Sequence, residues 1–125
     1  MTPWPAGAKP CRWLRRWGWA HHIDAQIIEM DFGTWDGLPW SAIERDAFDH
    51  WWSTSFLHLP PGGGESVHAL MQRAQGWKPP VRDESVALAV SHGGWMIARR
   101  WPLLGQPLPE HAAQWPAPQI GRAHV

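Results

Sequence analysis

A histidine followed by two glycines is the arrangement in this chain best suited to chemistry. Ser91-His92-Gly93-Gly94 follows an apolar run of strand length (residues 86–90) and precedes a segment that is apolar at helical spacing (residues 95–101). The N–H groups at a helix N-terminus bind anions, and glycines let an oxyanion approach the backbone. A histidine there can supply a proton or a hydrogen bond near neutral pH. The pattern therefore predicts an anion-binding turn.

A carboxylate-bearing loop is the second candidate. Residues 29–37 read Glu-Met-Asp-Phe-Gly-Thr-Trp-Asp-Gly, so Glu29 ends a short extended segment and two glycines shape the turn that follows. A glutamate in that position can face a cleft and act as a general acid. Taken alone, the segment is more typical of a surface loop whose acidic groups are solvated.

A glycine-rich stretch is the third candidate. Residues 61–66 read Pro-Gly-Gly-Gly-Glu-Ser and lead into a segment of helical periodicity. Such a stretch can hold an oxyanion, or it can be a flexible connection to a helix that Ser66 caps. No Gly-Lys-Ser/Thr follows it, so it is not a nucleotide-binding P-loop.

Composition narrows the class of protein. The 125 residues suffice for one domain, and 11 basic residues balance 11 acidic ones, which gives no electrostatic basis for binding nucleic acid or an anionic membrane. The single Cys11 excludes an internal disulfide and indicates a reducing, cytoplasmic location. The eight histidines lack metal-ligand spacing, so no metal site is predicted. The 12 tryptophans are spread along the chain, which favours core and groove-lining roles over a platform for stacking bases.

The order of elements indicates a helix-rich α/β domain. Residues 1–10 read as an irregular tail, and residues 11–125 as one domain. Helices are predicted over residues 40–48, after Ser66 and over residues 95–104. A buried strand is predicted over residues 85–90, and a last strand over residues 119–125.

The three segments in this order resemble the histidine phosphatase superfamily, also called phosphoglycerate mutase-like. The resemblance covers roughly residues 11 to 125. The tail Gln-Trp-Pro-Ala-Pro at residues 114–118 is similar to the branch that includes α-ribazole phosphatase-like proteins. The family implies a three-layer α/β/α fold and hydrolysis of a small phosphomonoester through a phosphohistidine, without a cofactor or metal.

The resemblance also implies a role for each matching residue. Glu29 corresponds to the general acid that protonates the leaving alcohol. His92 corresponds to the second histidine of the phosphate pocket, and Ser91 and Gly93 lie beside it as phosphate-binding residues. Phosphoryl transfer needs positioned donors and a proton for the leaving group, which these residue types can supply.

The chain departs from the family at the nucleophile. The family carries this histidine in an Arg-His-Gly segment at the end of its first strand, and no Arg-His pair occurs in these 125 residues. His21 and His22 lie just before Glu29, where the family has no nucleophile, and Pro10 stands where a phosphate-binding arginine is expected. The comparison predicts a partial α/β/α fold that lacks the N-terminal strands.

Two consequences follow for function. Covalent catalysis should collapse without its nucleophile, so the chain is expected to be inactive by itself. The alternatives are a non-catalytic remnant and a phosphate-binding pseudoenzyme. A parallel sheet without its inner strands exposes apolar faces and unpaired edges, which predicts marginal stability or self-association through a sheet edge.

Overall fold

A computed structural model describes residues 15–18, 21–80 and 88–116. Residues 21–80 and 88–116 contain three α-helices and several short 3₁₀ turns, and the helices are α1 (Arg45–Ser53), α2 (Val67–Gly76) and α3 (Gly93–Arg100). The 3₁₀ turns are Ala25–Ile27, Gly33–Trp35, Trp40–Ala42, Pro61–Gly63, Trp101–Leu104 and Ala112–Gln114.

Side-chain caps fix where two of the helices begin. The Ser66 hydroxyl accepts the Ala69 N–H at 3.1 Å, which confirms the predicted start of α2. The Glu44 carboxylate accepts the Ala47 N–H at 3.0 Å and starts α1. The helix predicted over residues 40–48 is therefore wrong in its bounds: a single 3₁₀ turn occupies residues 40–42, and the α-helix starts only after the cap.

Helices α2 and α3 pack closely because each presents an alanine at the contact. Ala74 and Ala98 are both fully buried, which lets the two backbones approach. Arg99 of α3 donates to the carbonyls of Ala74, Gln75 and Trp77 at 2.9, 3.1 and 2.6 Å. These bonds satisfy acceptors at the C-terminus of α2 that a helix leaves without partners.

Aromatic rings fill the rest of the core. Trp51 of α1 lies between Phe32 and Phe56, with ring centroids 6.0 and 5.3 Å away. Trp101 stacks on Trp115 at 5.4 Å. Four tryptophans are buried, in line with the predicted core role: Trp51, Trp77, Trp95 and Trp101. Others are largely exposed: Trp17, Trp40 and Trp52.

The predicted α/β/α fold is wrong for the part of the chain that the structure describes. Residues 21–80 and 88–116 contain helices, turns and extended segments but no β-strand. Of the run predicted to be a buried strand, residues 88–90 form no regular secondary structure, and the side chains of Leu88 and Val90 are 74% and 53% exposed. An apolar run becomes a buried parallel strand only when neighbouring strands pair with it and helices cover it, and residues 88–90 have no strand beside them among the described residues. Residues 81–87 and the strand predicted over 119–125 lie outside the described residues.

The predicted self-association was expected to use an exposed sheet edge. Within the described ranges there is no sheet, so there is no sheet edge through which copies could pair. Exposed apolar side chains remain, with Leu88 at 74% and Leu103 at 80% among the largest exposed fractions. Two buried indole N–H groups, of Trp51 and Trp101, also have no acceptor among the described residues. Association and marginal stability therefore stay predictions, now resting on exposed side chains.

Candidate active site

The carboxylate of Glu29 lies at the N-terminus of α3. Its Oε2 accepts the Gly94 N–H at 3.2 Å, and its Oε1 accepts the Met30 N–H at 2.9 Å. Gly94 is the second residue of α3, so this N–H is one of those that a helix leaves unpaired. The positive end of the helix dipole stabilises a carboxylate there. The structure thus joins the first two candidate segments, which are far apart in the sequence.

Gly94 has to be glycine for this contact to form. A Cβ atom on Gly94 would collide with Oε1 of Glu29 and would lie 3.1 Å from the carboxyl carbon. The second glycine of the turn therefore makes room for a side chain of the protein itself. From the sequence, the same glycine was expected to let an oxyanion approach the backbone.

The other residues of the turn lie directly beside this contact. His92 precedes the first residue of α3, is half-buried and forms no imidazole hydrogen bond with the described residues. Gly93 is the first residue of the helix. The Ser91 hydroxyl donates to the carbonyl of Ile27, so it ties the turn to the segment that carries Glu29. The four predicted site residues are thus brought together at one helix end.

The glycine-rich stretch packs against the loop that follows Glu29. Gly62 and Gly33 both have positive φ angles, 65° and 57°. A Cβ on Gly62 would meet the Phe32 carbonyl, and a Cβ on Gly64 would meet the Asp31 carbonyl. The Glu65 N–H donates to the same Asp31 carbonyl at 2.7 Å. In the described residues these glycines therefore serve close backbone packing, which neither of the two sequence interpretations anticipated.

Two acidic groups near the site have shifted pKa values. The Asp24 carboxylate accepts the Trp77 indole N–H at 2.7 Å and the Gln26 N–H at 2.8 Å. These two hydrogen bonds lower the pKa of Asp24. Burial raises the pKa of Asp36, and hydrogen bonding and charge repulsion from Asp31 raise it further. Through its hydrogen bonds to Trp77 and Gln26, Asp24 holds the start of the segment that leads to Glu29.

A second residue that holds the segment leading to Glu29, Arg73, was not predicted from the sequence. Arg73 of α2 donates to the carbonyls of Gln26 and Ile28 at 2.6 and 3.0 Å and forms a two-bonded ion pair with Glu65. A signal for it existed, because Arg73 follows Leu70 by three positions and so borders the apolar face of α2. An arginine in that position must find acceptors inside the protein.

The described residues form neither a metal site nor a membrane-spanning helix. Among residues 15–18, 21–80 and 88–116, no three histidine, cysteine, aspartate or glutamate side chains come together as a metal site. None of the helices in the same residues is long and apolar enough to cross a bilayer.

Comparison with known proteins identifies the family. The model of the histidine phosphatase superfamily (branch 1) matches residues 11–119, which include the Glu29 loop, the glycine-rich stretch and the His92 turn. No curated protein and no solved structure matches the chain. The family match covers most of the sequence. The chain therefore belongs to branch 1 of the histidine phosphatase superfamily.

Proposed function

We propose that this site recognises phosphomonoesters, with His92 and the first N–H groups of α3 donating to the phosphoryl oxygens and Glu29 protonating the leaving alcohol. The observation that carries the proposal is the 3.2 Å hydrogen bond from the Gly94 N–H to Glu29 Oε2. It places the carboxyl group of Glu29 against the backbone of the second residue after His92, at a helix end that favours negative charge. Membership of the family supports these roles.

The arrangement also suggests how binding and protonation are coupled. In the structure the Glu29 carboxylate occupies the Gly94 N–H, which a phosphoryl oxygen would also need. Two anions compete for one donor, so phosphate binding favours a Glu29 that carries a proton and no longer needs this N–H. A protonated Glu29 is the form that can donate to a leaving alkoxide, because general acid catalysis requires the proton to be in place beforehand.

The covalent step of a phosphohistidine mechanism requires a further residue. A phosphohistidine mechanism needs a nucleophilic histidine, and the Arg-His-Gly segment that supplies it in the family does not occur in the 125 residues. We therefore propose that this chain by itself binds phosphomonoesters and hydrolyses none of them, as a phosphate-binding pseudoenzyme does. The substrate of a complete site would be a small phosphomonoester, and the tail at residues 114–118 favours α-ribazole phosphate.

The test combines a binding measurement with an activity measurement. At a concentration ten times its Kd, inorganic phosphate should add about 1.4 kcal/mol to the free energy of unfolding and so raise the melting temperature of the chain. Chloride at equal ionic strength should not do so. His92→Ala should abolish the phosphate effect, whereas His58→Ala, which alters an exposed histidine, should keep it. Hydrolysis of p-nitrophenyl phosphate should stay at background.

Each possible result decides one part of the proposal. If phosphate leaves the melting temperature unchanged, the binding site is disproved. If p-nitrophenyl phosphate is hydrolysed and His92→Ala abolishes the hydrolysis, the chain is an active phosphatase and the proposed inactivity is wrong. A phosphate effect that survives His92→Ala would place the phosphate elsewhere.

A further inference from the structure

The guanidinium of Arg73 lies against the backbone of the segment that carries Glu29. Its Nη1 donates to the carbonyls of Gln26 at 2.6 Å and Ile28 at 3.0 Å, and its Nη2 lies 3.5 Å from the carbonyl of Glu29 itself. Three carbonyls within four residues are therefore held by one side chain. Arg73 sits on α2, which also packs against α3, so the same helix supports both halves of the site.

Glu65 fixes the orientation of that guanidinium. Its two carboxylate oxygens accept from Nε and Nη2 of Arg73, both at 2.9 Å. The side chains of Arg73 and Glu65 are only 23% and 17% exposed, so water screens the pair weakly. Glu65 also contacts the segment directly, since its N–H donates to the Asp31 carbonyl at 2.7 Å. A two-bonded pair of this kind restricts the plane of the guanidinium as well as its position.

The segment depends on these bonds because no β-ladder holds it in the described residues. Its carbonyls are instead bonded by side chains from two directions. Arg73 approaches from α2, while the indole N–H of Trp95 donates to Gln26 at 3.0 Å and the Ser91 hydroxyl donates to Ile27 from the α3 side. The backbone at Glu29 can therefore move only if one of these side-chain contacts gives way.

We propose that Arg73, oriented by Glu65, is a positioning residue that holds the Glu29 carboxylate against the N-terminus of α3. The proposal deepens the function proposed above, because it takes Glu29 as the proton donor of that site. Arg73 does not reach the phosphoryl group in this scheme. It acts through the backbone, and the distance it controls is the one between Glu29 Oε2 and the Gly94 nitrogen.

Lysine cannot replace arginine in this arrangement. A guanidinium presents five donors in a rigid plane, whereas an ammonium is a single point charge at the end of a flexible chain. Arg73→Lys should keep the charge opposite Glu65 and lose the simultaneous contacts with several carbonyls. The conservative variant therefore separates the effect of geometry from the effect of charge.

The amide signal of Gly94 in a two-dimensional ¹⁵N NMR spectrum provides the test. In the unaltered chain this N–H donates to a carboxylate, so its proton signal should lie downfield of its position in Glu29→Ala, which removes the acceptor. Arg73→Lys should lose most of this difference. Arg99→Lys is the matched control, since Arg99 also binds three carbonyls between α2 and α3 but none in the Glu29 segment, and it should keep the difference.

The outcomes separate this proposal from the proposed function. The measurement needs no phosphate, so it can succeed where phosphate binding fails, and the reverse also holds. A folded Arg73→Lys variant whose Gly94 signal stays at the unaltered position would overturn the positioning role. If Arg73→Lys does not fold, Glu65→Gln decides, because it leaves Arg73 in place and removes the charge and one acceptor oxygen of its partner. A signal that moves toward the Glu29→Ala position in that variant supports the proposal, and an unchanged one refutes it.

Discussion

The Glu29 carboxylate accepts the backbone N–H of Gly94 at 3.2 Å, across 65 positions of sequence. This contact joins a loop to the N-terminus of a helix, and it satisfies both an acidic side chain and an amide that the helix leaves unpaired. It also makes the side-chain volume at position 94 critical.

Gly94→Ala should destabilise the chain by about 0.5–1.5 kcal/mol, because the added Cβ would push the flexible Glu29 carboxylate away and break its hydrogen bond to this N–H. Urea denaturation measures this cost. In a Glu29→Ala background the same substitution should cost much less, since the colliding group is gone. An equal cost in both backgrounds would contradict the contact.

Gly76→Ala is the control for that experiment. Gly76 ends α2, its φ angle is not positive, and nothing lies within 4 Å of the position that a Cβ would take. Alanine should therefore be neutral there or stabilise by up to about 1 kcal/mol, because it lowers the entropy of the unfolded chain.

Two neighbouring glycines should differ in their tolerance of alanine. Gly62 and Gly63 have φ angles of 65° and 74°, so alanine at either is strained by about 1–2 kcal/mol. Only at Gly62 would the Cβ also meet other atoms, among them the Trp35 nitrogen at 2.9 Å, whereas Gly63 has open space. In urea denaturation, Gly62→Ala should therefore lower the free energy of unfolding by about 1–3 kcal/mol more than Gly63→Ala does. Equal costs would show that the glycine-rich stretch does not pack on the Glu29 loop.

The pair of Asp24 and Trp77 should make stability depend on pH. The indole N–H of Trp77, and then the N–H of Gln26, hold the pKa of Asp24 below its ordinary value of 3.8. A carboxyl whose pKa is lower in the folded state stabilises the fold fully above its unfolded pKa and loses that contribution as pH falls through the folded value. Asp24→Asn should therefore lower the melting temperature at pH about 6, and the difference from the unaltered chain should shrink below pH about 4.

Trp77→Phe serves as the partner variant in the same experiment. It removes the donor and keeps an aromatic ring against Trp95, whose centroid lies 5.4 Å away. If the hydrogen bond causes the pH dependence, the two substitutions together should cost less than their sum. Strict additivity, or an Asp24→Asn effect that persists unchanged at low pH, would refute the assignment.

Local signals in the sequence predicted local structure well. Ser66 before an apolar periodic run predicted the start of α2, because a hydroxyl there can accept an amide of the first turn. The strand predicted over residues 85–90 failed in its described part, where Leu88 is 74% exposed. A cap depends on a few neighbouring residues, whereas a buried strand depends on distant strands that an apolar run cannot supply by itself.

The sequence by itself determined the family, through three short segments, and which residues carry the candidate chemistry: Glu29 and His92. The tertiary structure decided how they meet. Packing of α2 against α3 through Ala74 and Ala98 brings α3 to the Glu29 segment, and Arg73 holds that segment in place. The physical reason is that Gly94 and Glu29 interact only when both helices are packed, since no local signal specifies a contact over 65 residues.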